Sequence, residues 1–147
     1  MTNEPTRRND PSILVIDDFA TMRRLIRQSL KNSCFENVTE AESGLKALAL
    51  IKENTYDIIL SDWMMPDVWG IELVRTVRLD PRHHSVPFIM ITSEGHKDSV
   101  VEAAESGVTS YILKPFTPKT LEEKLTEVFR EHLGISTSAA HPKLISA

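Results

Sequence analysis

The chain has 147 residues, 41% of them hydrophobic and 26% charged, with a net charge of −4. That length suits one domain with a real core and is short for two. Acidic and basic residues interleave, which excludes the basic face that nucleic-acid binding needs, and the longest near-apolar stretch, 86–91, is far too short to insert into a membrane.

From the start of the chain, residues 1–11 are polar, lack the apolar run of a signal peptide and read as a flexible arm. An apolar run at 13–16 follows and ends in Asp17 and Asp18. Met22, Leu25, Ile26 and Leu30 then share one helical face, while Arg23, Arg24 and Arg27 read as a solvated face of the same helix. Cys34 is the single cysteine, so no internal disulfide can form. That suits a reducing compartment, and with the missing signal peptide it predicts a cytoplasmic protein. Its side chain is expected to be small, apolar and buried.

A weaker strand signal at 37–41 precedes a second helical stripe, Leu45, Leu48 and Ala49. The run at 57–60 leads into Ser61 and Asp62, and Leu73, Val74 and Val77 form the next stripe. His83 and His84 are adjacent on a connection with no third ligand in view, and read as a solvated loop rather than a metal site. The run at 88–91 ends in Thr92 and Ser93, a short helix is expected over 98–106, and the run at 111–113 ends in Lys114 and Pro115. Thr117 can cap the last helix with Pro118 at its first position. Leu121, Leu125, Val128 and Phe129 give that helix its apolar face. Gly107 and Gly134 stand where helices end. The folded domain is expected over 12–133, and the tail 134–147, rich in Ser, Thr and Ala, is expected to be disordered in isolation.

Continuous Ile/Val/Leu runs without alternation are strands buried on both faces, and their regular exchange with helices implies a doubly wound α/β fold with a parallel sheet. Ligands in such folds bind at the carboxyl ends of the strands. There the sequence gathers Asp17, Asp18, Asp62, Thr92 and Lys114. Three carboxylates close together repel one another. A divalent cation relieves that repulsion, and oxygen ligands with an open rim point to Mg2+. Mg2+ and Lys114 together suit phosphoryl transfer onto a carboxylate, with Thr92 donating to a phosphoryl oxygen.

The segments Ile13-Leu-Val-Ile-Asp-Asp18, Ser61-Asp-Trp-Met-Met-Pro66, Ile91-Thr-Ser93 and Leu113-Lys-Pro-Phe116 resemble the four motifs of the bacterial two-component response-regulator receiver domain. Asp17-Asp-Phe-Ala-Thr-Met-Arg-Arg24 and the residues from Lys114 to Lys124 resemble its CheY-like chemotaxis branch. The resemblance implies a five-stranded sheet in the order 2-1-3-4-5 flanked by five helices. It implies Asp62 as phosphoacceptor, with Mg2+ held by Asp17, Asp18, Asp62 and the backbone carbonyl of Met64. Thr92 and Lys114 would contact the phosphoryl group, Thr92 and Tyr111 would act as switch residues, and the Lys114–Pro115 peptide would be cis. It implies a monomeric signalling switch rather than a turnover enzyme. Its partners would be a sensor histidine kinase of the chemotaxis type, a phosphatase, and a target such as the flagellar motor switch, bound through the fourth helix, fifth strand and fifth helix.

Two departures matter. Met64 stands where the chemotaxis relatives usually carry asparagine, which predicts slower loss of the phosphoryl group, with Glu94 on the same rim. Trp69 stands before Gly70 in place of a small or acidic residue, and either anchors a partner or packs on its own loop. Other functions remain open on the residues alone. A phosphate sink or relay intermediate would use the same pocket. A Mg2+-dependent phosphohydrolase with an aspartate nucleophile would want an acid where Met64 stands.

Overall fold

The computed structural model describes residues 10–93 and 97–134. The expected arm and tail lie almost wholly outside the described residues, as does Glu94. In chain order the elements are β1 (Ile13–Ile16), α1 (Ala20–Asn32), β2 (Val38–Ala41), α2 (Gly44–Glu53), β3 (Ile58–Asp62), α3 (Gly70–Leu79), β4 (Phe88–Thr92), α4 (Lys97–Glu105), β5 (Ser110–Leu113) and α5 (Pro118–Val128), the last continuing into a π-helical turn over Phe129–Leu133. Among the described residues no helix is long and apolar enough to cross a membrane.

The five strands form one parallel sheet in the order β2-β1-β3-β4-β5. Every residue of β1, β3 and β4 is buried, which explains why these runs are apolar without alternation. Alternate residues serve two cores. Leu14, Ile16, Ile59 and Met90 pack with Ala47 and Ile51 of α2, Leu73, Val74 and Val77 of α3, and Ala103 of α4. Ile13, Val15, Ile58, Leu60, Ile89 and Ile91 pack with Ile26 and Leu30 of α1 and with Leu121, Leu125 and Val128 of α5. The chain leaves β1 toward β2 on one side and later returns to β3 on the other. The switch point therefore falls between β1 and β3, at the carboxyl ends that carry Asp17, Asp18 and Asp62.

Local signals in the sequence act as expected at several ends. Thr117 accepts from the Thr120 N–H at 3.1 Å with Pro118 in the first turn, and Gly107 and Gly134 adopt positive φ. Four expectations are corrected. The inward face of α2 is Gly44, Ala47 and Ile51, whereas Leu45 is 62% exposed and Ala49 is exposed. The helix is rotated because its first turn is pressed against the loop after β3. Arg23 and Arg27 are not simply solvated, since both bond Glu40 of β2, at 2.9 and 2.8 Å. Although burial opposes it, these two guanidinium groups hold the Glu40 carboxyl below the usual range.

His83 is fully buried, while His84 stays exposed. The turn closed by the His83 N–H on the Asp80 carbonyl aims its ring inward. There Nε2 accepts from the Tyr56 N–H at 3.2 Å and Nδ1 faces Asp80 Oδ2 at 3.0 Å. With Nε2 an acceptor, Nδ1 must carry the proton in the neutral ring. Bonds from Arg82 and then His83 hold the Asp80 carboxyl far below the usual range.

Cys34 is exposed and adopts φ 72°. It ends α1 in a Schellman turn: its N–H donates to the Lys31 carbonyl and the Phe35 N–H to the Leu30 carbonyl, both at 2.9 Å. Leu30 and Phe35 share the same core, so the turn is fastened on its inner side and Cys34 is left outside. A left-handed position costs an L-residue about 1 kcal/mol that glycine avoids. Cys34→Gly is therefore expected to stabilise the domain by about 0.5–1 kcal/mol in urea unfolding; a loss of stability would show that the side chain's surface contacts outweigh the strain.

Candidate functional site

Each residue of the site is delivered by the end of a strand. Ile16 of β1 pairs with Ser61 of β3, and Asp62 pairs with Ile91 of β4, which places Asp17 and Asp62 on neighbouring strand ends. Asp17, Asp62 and Thr92 are buried, and Asp18 is half-buried. One oxygen from each of Asp17, Asp18 and Asp62 lies within 4.8 Å of the others. Lys114, at the end of β5, reaches across β4 to place Nζ 3.3 Å from Asp17 Oδ2 and 3.4 Å from Asp62 Oδ1. Its backbone N–H donates to the Thr92 carbonyl at 2.8 Å, and the Lys114–Pro115 peptide is cis, as the resemblance implied.

The carboxylates differ in what they already accept. Asp17 Oδ1 receives the Phe19 N–H at 2.9 Å, and Asp62 Oδ1 receives the Trp63 N–H at 2.8 Å. Asp18 Oδ1 is buried without a hydrogen-bond partner. A buried carboxylate oxygen with no donor is costly, and it is what a cation site predicts. The donor set, three carboxylates with no sulfur or imidazole among them, fits Mg2+. Burial first, and the neighbouring Asp17 second, push the Asp62 carboxyl above its ordinary range; the Lys114 ammonium and the Trp63 N–H act in the opposite sense.

The family profile described as "Response regulator receiver domain" matches residues 13–126. This chain belongs to that family. The receiver domain is 44% identical to the chemotaxis protein CheY-3 of Vibrio cholerae over 117 residues, covering 80% of this chain and 90% of the relative. It is 43% identical to the chemotaxis protein CheY of Pseudomonas aeruginosa over 122 residues, covering 83% of this chain and 98% of that one. Among solved structures, the chemotaxis response regulator CheY4 of Vibrio cholerae superposes with a TM-score of 0.77 at 32% identity, covering 81% of this chain and 98% of that chain. The receiver is thus of the CheY type and belongs to two-component signalling, and its acidic cluster is compatible with Mg2+.

The structure brings together Asp17, Asp18, Asp62 and Lys114 as expected, with Thr92 closing the adjacent strand. Met64 follows on the loop after β3 and is 54% exposed. Tyr111 is partly buried, and its ring meets that of Trp63 edge-on, with centroids 6.2 Å apart. That contact was not legible in the sequence, because it depends on β4 holding Tyr111 opposite Met90. Trp69, 49% exposed, is the N-cap residue of α3 and makes no side-chain cap, so α3 begins without the hydroxyl or carboxylate that α2 and α5 use. Gly70 was also missed as a site residue. A Cβ there would lie 2.5 Å from the Asp62 carbonyl oxygen, so only glycine lets α3 start against the backbone of that aspartate.

With its folded pKa raised, the ionised Asp62 carboxylate is tolerated less well in the folded chain than in the unfolded one. Its favourable contribution is complete at low pH and is lost as pH rises through the raised value. In EDTA at neutral pH, Asp62→Asn is therefore expected to raise the melting temperature by a few degrees, with the gain shrinking as pH falls toward about 4. An unchanged melting temperature at neutral pH would mean that Lys114 already compensates that charge in full.

Proposed function

We propose that Asp62 is the phosphoacceptor of a diffusible signalling switch, phosphorylated by a sensor histidine kinase. The observation that carries this reading is Lys114 Nζ standing 3.3 and 3.4 Å from Asp17 and Asp62, beside a carboxylate oxygen of Asp18 that no donor satisfies. In transfer, an Asp62 oxygen attacks the phosphorus of a phosphohistidine or a small acyl phosphate. The new O–P bond forms as the bond to the donor breaks, and the imidazole or acetate departs with the electron pair. Lys114 offsets the charge on the phosphoryl oxygens, and the Thr92 hydroxyl donates to one of them. Asp17, Asp18, Asp62 and the Met64 carbonyl would hold Mg2+, which when bound screens the charge between carboxylate and phosphate. Water attack at phosphorus later returns free Asp62 and inorganic phosphate, so the chain resets itself without turning over a separate substrate.

In this reading the functional unit is residues 12–133, acting as a monomer in the cytoplasm. Thr92 moves toward the phosphorylated Asp62, and Tyr111 follows into the space released. The altered surface is α4, β5 and α5. Likeness to chemotaxis proteins at 43–44% identity supports the flagellar motor switch as the target and a chemotaxis kinase as the donor, with a phosphatase shortening the signal. The effector acts by population shift, since the phosphoryl group binds the active arrangement more tightly.

Tryptophan fluorescence with Mg2+ and then acetyl phosphate tests the chemistry, because Trp63 is buried beside Asp62. A change that needs both additions and vanishes in Asp62→Asn is expected. If mass spectrometry finds no adduct on the native chain, the assignment of Asp62 fails.

The exposed Met64 gives an attacking water no hydrogen bond. A polar side chain there supplies one of about 1 kcal/mol, which corresponds to roughly fivefold in rate. Met64→Asn is expected to shorten the lifetime of the phosphorylated protein by about that factor. Equal decay in the two proteins would remove Met64 from control of the lifetime.

A further inference from the structure

The loop between β3 and α3 is fastened at two points. At its base, the Gly70 N–H donates to the Trp63 carbonyl at 2.7 Å. At its tip, the Asp67 carboxylate is docked on the start of α2. Asp67 Oδ1 accepts from the Gly44 N–H at 3.2 Å and from its neighbour Val68 N–H at 2.8 Å, and Oδ2 accepts from the Leu45 N–H at 2.9 Å. These bonds, that from Leu45 foremost, hold the Asp67 carboxyl below its usual range. The joint is also packed: a Cβ on Gly44 would lie 2.5 Å from the Val68 Cβ. Helix α2 has its own cap, Ser43, which accepts from the Lys46 N–H at 3.1 Å. Asp67 is therefore not the helix's needed cap but a tether between two elements.

Met64 lies between the two fastenings. Mg2+ tolerates little departure from octahedral geometry, so a carbonyl ligand on a loop must be set before the ion arrives, or affinity is lost in ordering it. We infer that Asp67 is a positioning residue for the metal end of the acceptor site, its hold on Gly44 and Leu45 setting where the loop presents the Met64 carbonyl. The inference rests on the proposed role of that carbonyl and deepens it.

The test is calorimetric titration of EDTA-stripped full chain with Mg2+, with circular dichroism to confirm folding. Asp67→Ala is expected to weaken Mg2+ binding by about tenfold, the lower end of what removing a partner of a metal ligand does. Gly44→Ala, which pushes Val68 away from the other side, is expected to weaken it as well. Ser43→Ala, which loosens α2 without releasing the loop, should bind as the native chain does. Asp67→Asn, which keeps an oxygen able to accept from one helix amide, should fall between the native chain and Asp67→Ala. At saturating Mg2+, phosphorylation of Asp67→Ala by acetyl phosphate should return to the native rate.

Native affinity in Asp67→Ala overturns the inference. So does an equal loss in Asp67→Asn and Asp67→Ala that disappears in high salt, because charge alone would then explain it. A loss in Ser43→Ala as large as in Asp67→Ala would assign the effect to the helix instead. Asp18→Asn separates the two levels: if it binds Mg2+ as the native chain does, the site reading itself is wrong and the inference falls with it.

Discussion

Three carboxylates forced together at the end of a buried sheet set the terms for everything around them. Asp17 and Asp62 are nearly enclosed, Asp18 keeps one oxygen with no donor, and the Lys114 ammonium stands against Asp17 and Asp62. When all are ionised, two negative charges are left over in a place where water screens poorly. A divalent cation balances that remainder, and a phosphoryl group arriving with it finds positive charge on both sides. Under the proposed function, that residual charge is what lets an otherwise inert strand edge bind and react.

The sheet is what makes such a cluster possible. Its central strands carry apolar residues on both faces, so the two cores hold β1, β3 and β4 rigidly in register. The reversal of strand order between β1 and β3 opens the cleft where their ends meet. Lys114 comes from two strands away from Asp62 and three from Asp17, and its hold on Asp17 joins residues 97 positions apart in the chain. A one-residue slip of any central strand would turn its terminal side chain away and dissolve the site.

From that edge the structure offers a route outward. Trp63 follows Asp62 directly, is buried, and meets the ring of Tyr111 on β5. The loop that starts with Trp63 is closed by Gly70 and tethered by Asp67 to α2. The loop thus meets β5 through an aromatic pair, and α2 through the Asp67 carboxylate and the packing of Val68 on Gly44. Under the proposed function these are the contacts through which a change at Asp62 would be felt elsewhere.

Much of this was legible in one dimension. Strands buried on both faces appear as unbroken apolar runs, and the residue that follows each run must emerge at the strand's end. Asp17, Asp18, Asp62, Thr92 and Lys114 could therefore be assembled from their places in the sequence alone. Caps such as Thr117 with Pro118 are equally local. What the sequence left wrong or unseen depended on how elements meet. Leu45 belongs to an apolar stripe yet faces outward, because the contact of Gly44 with Val68 turns α2. His83 reads as a polar loop residue yet is buried, because the turn on Asp80 brings it to Tyr56. Cys34 is apolar enough for a core, but the Schellman turn places it outside. Asp67 is one acid among many until the structure sets it against the first amides of α2. The chemistry at the strand ends was determined by the order of residues, since strand ends are local. The tether, the rotated helix and the buried histidine were decided only by tertiary structure, since each arises where segments distant in sequence compete for the same space and the same hydrogen bonds.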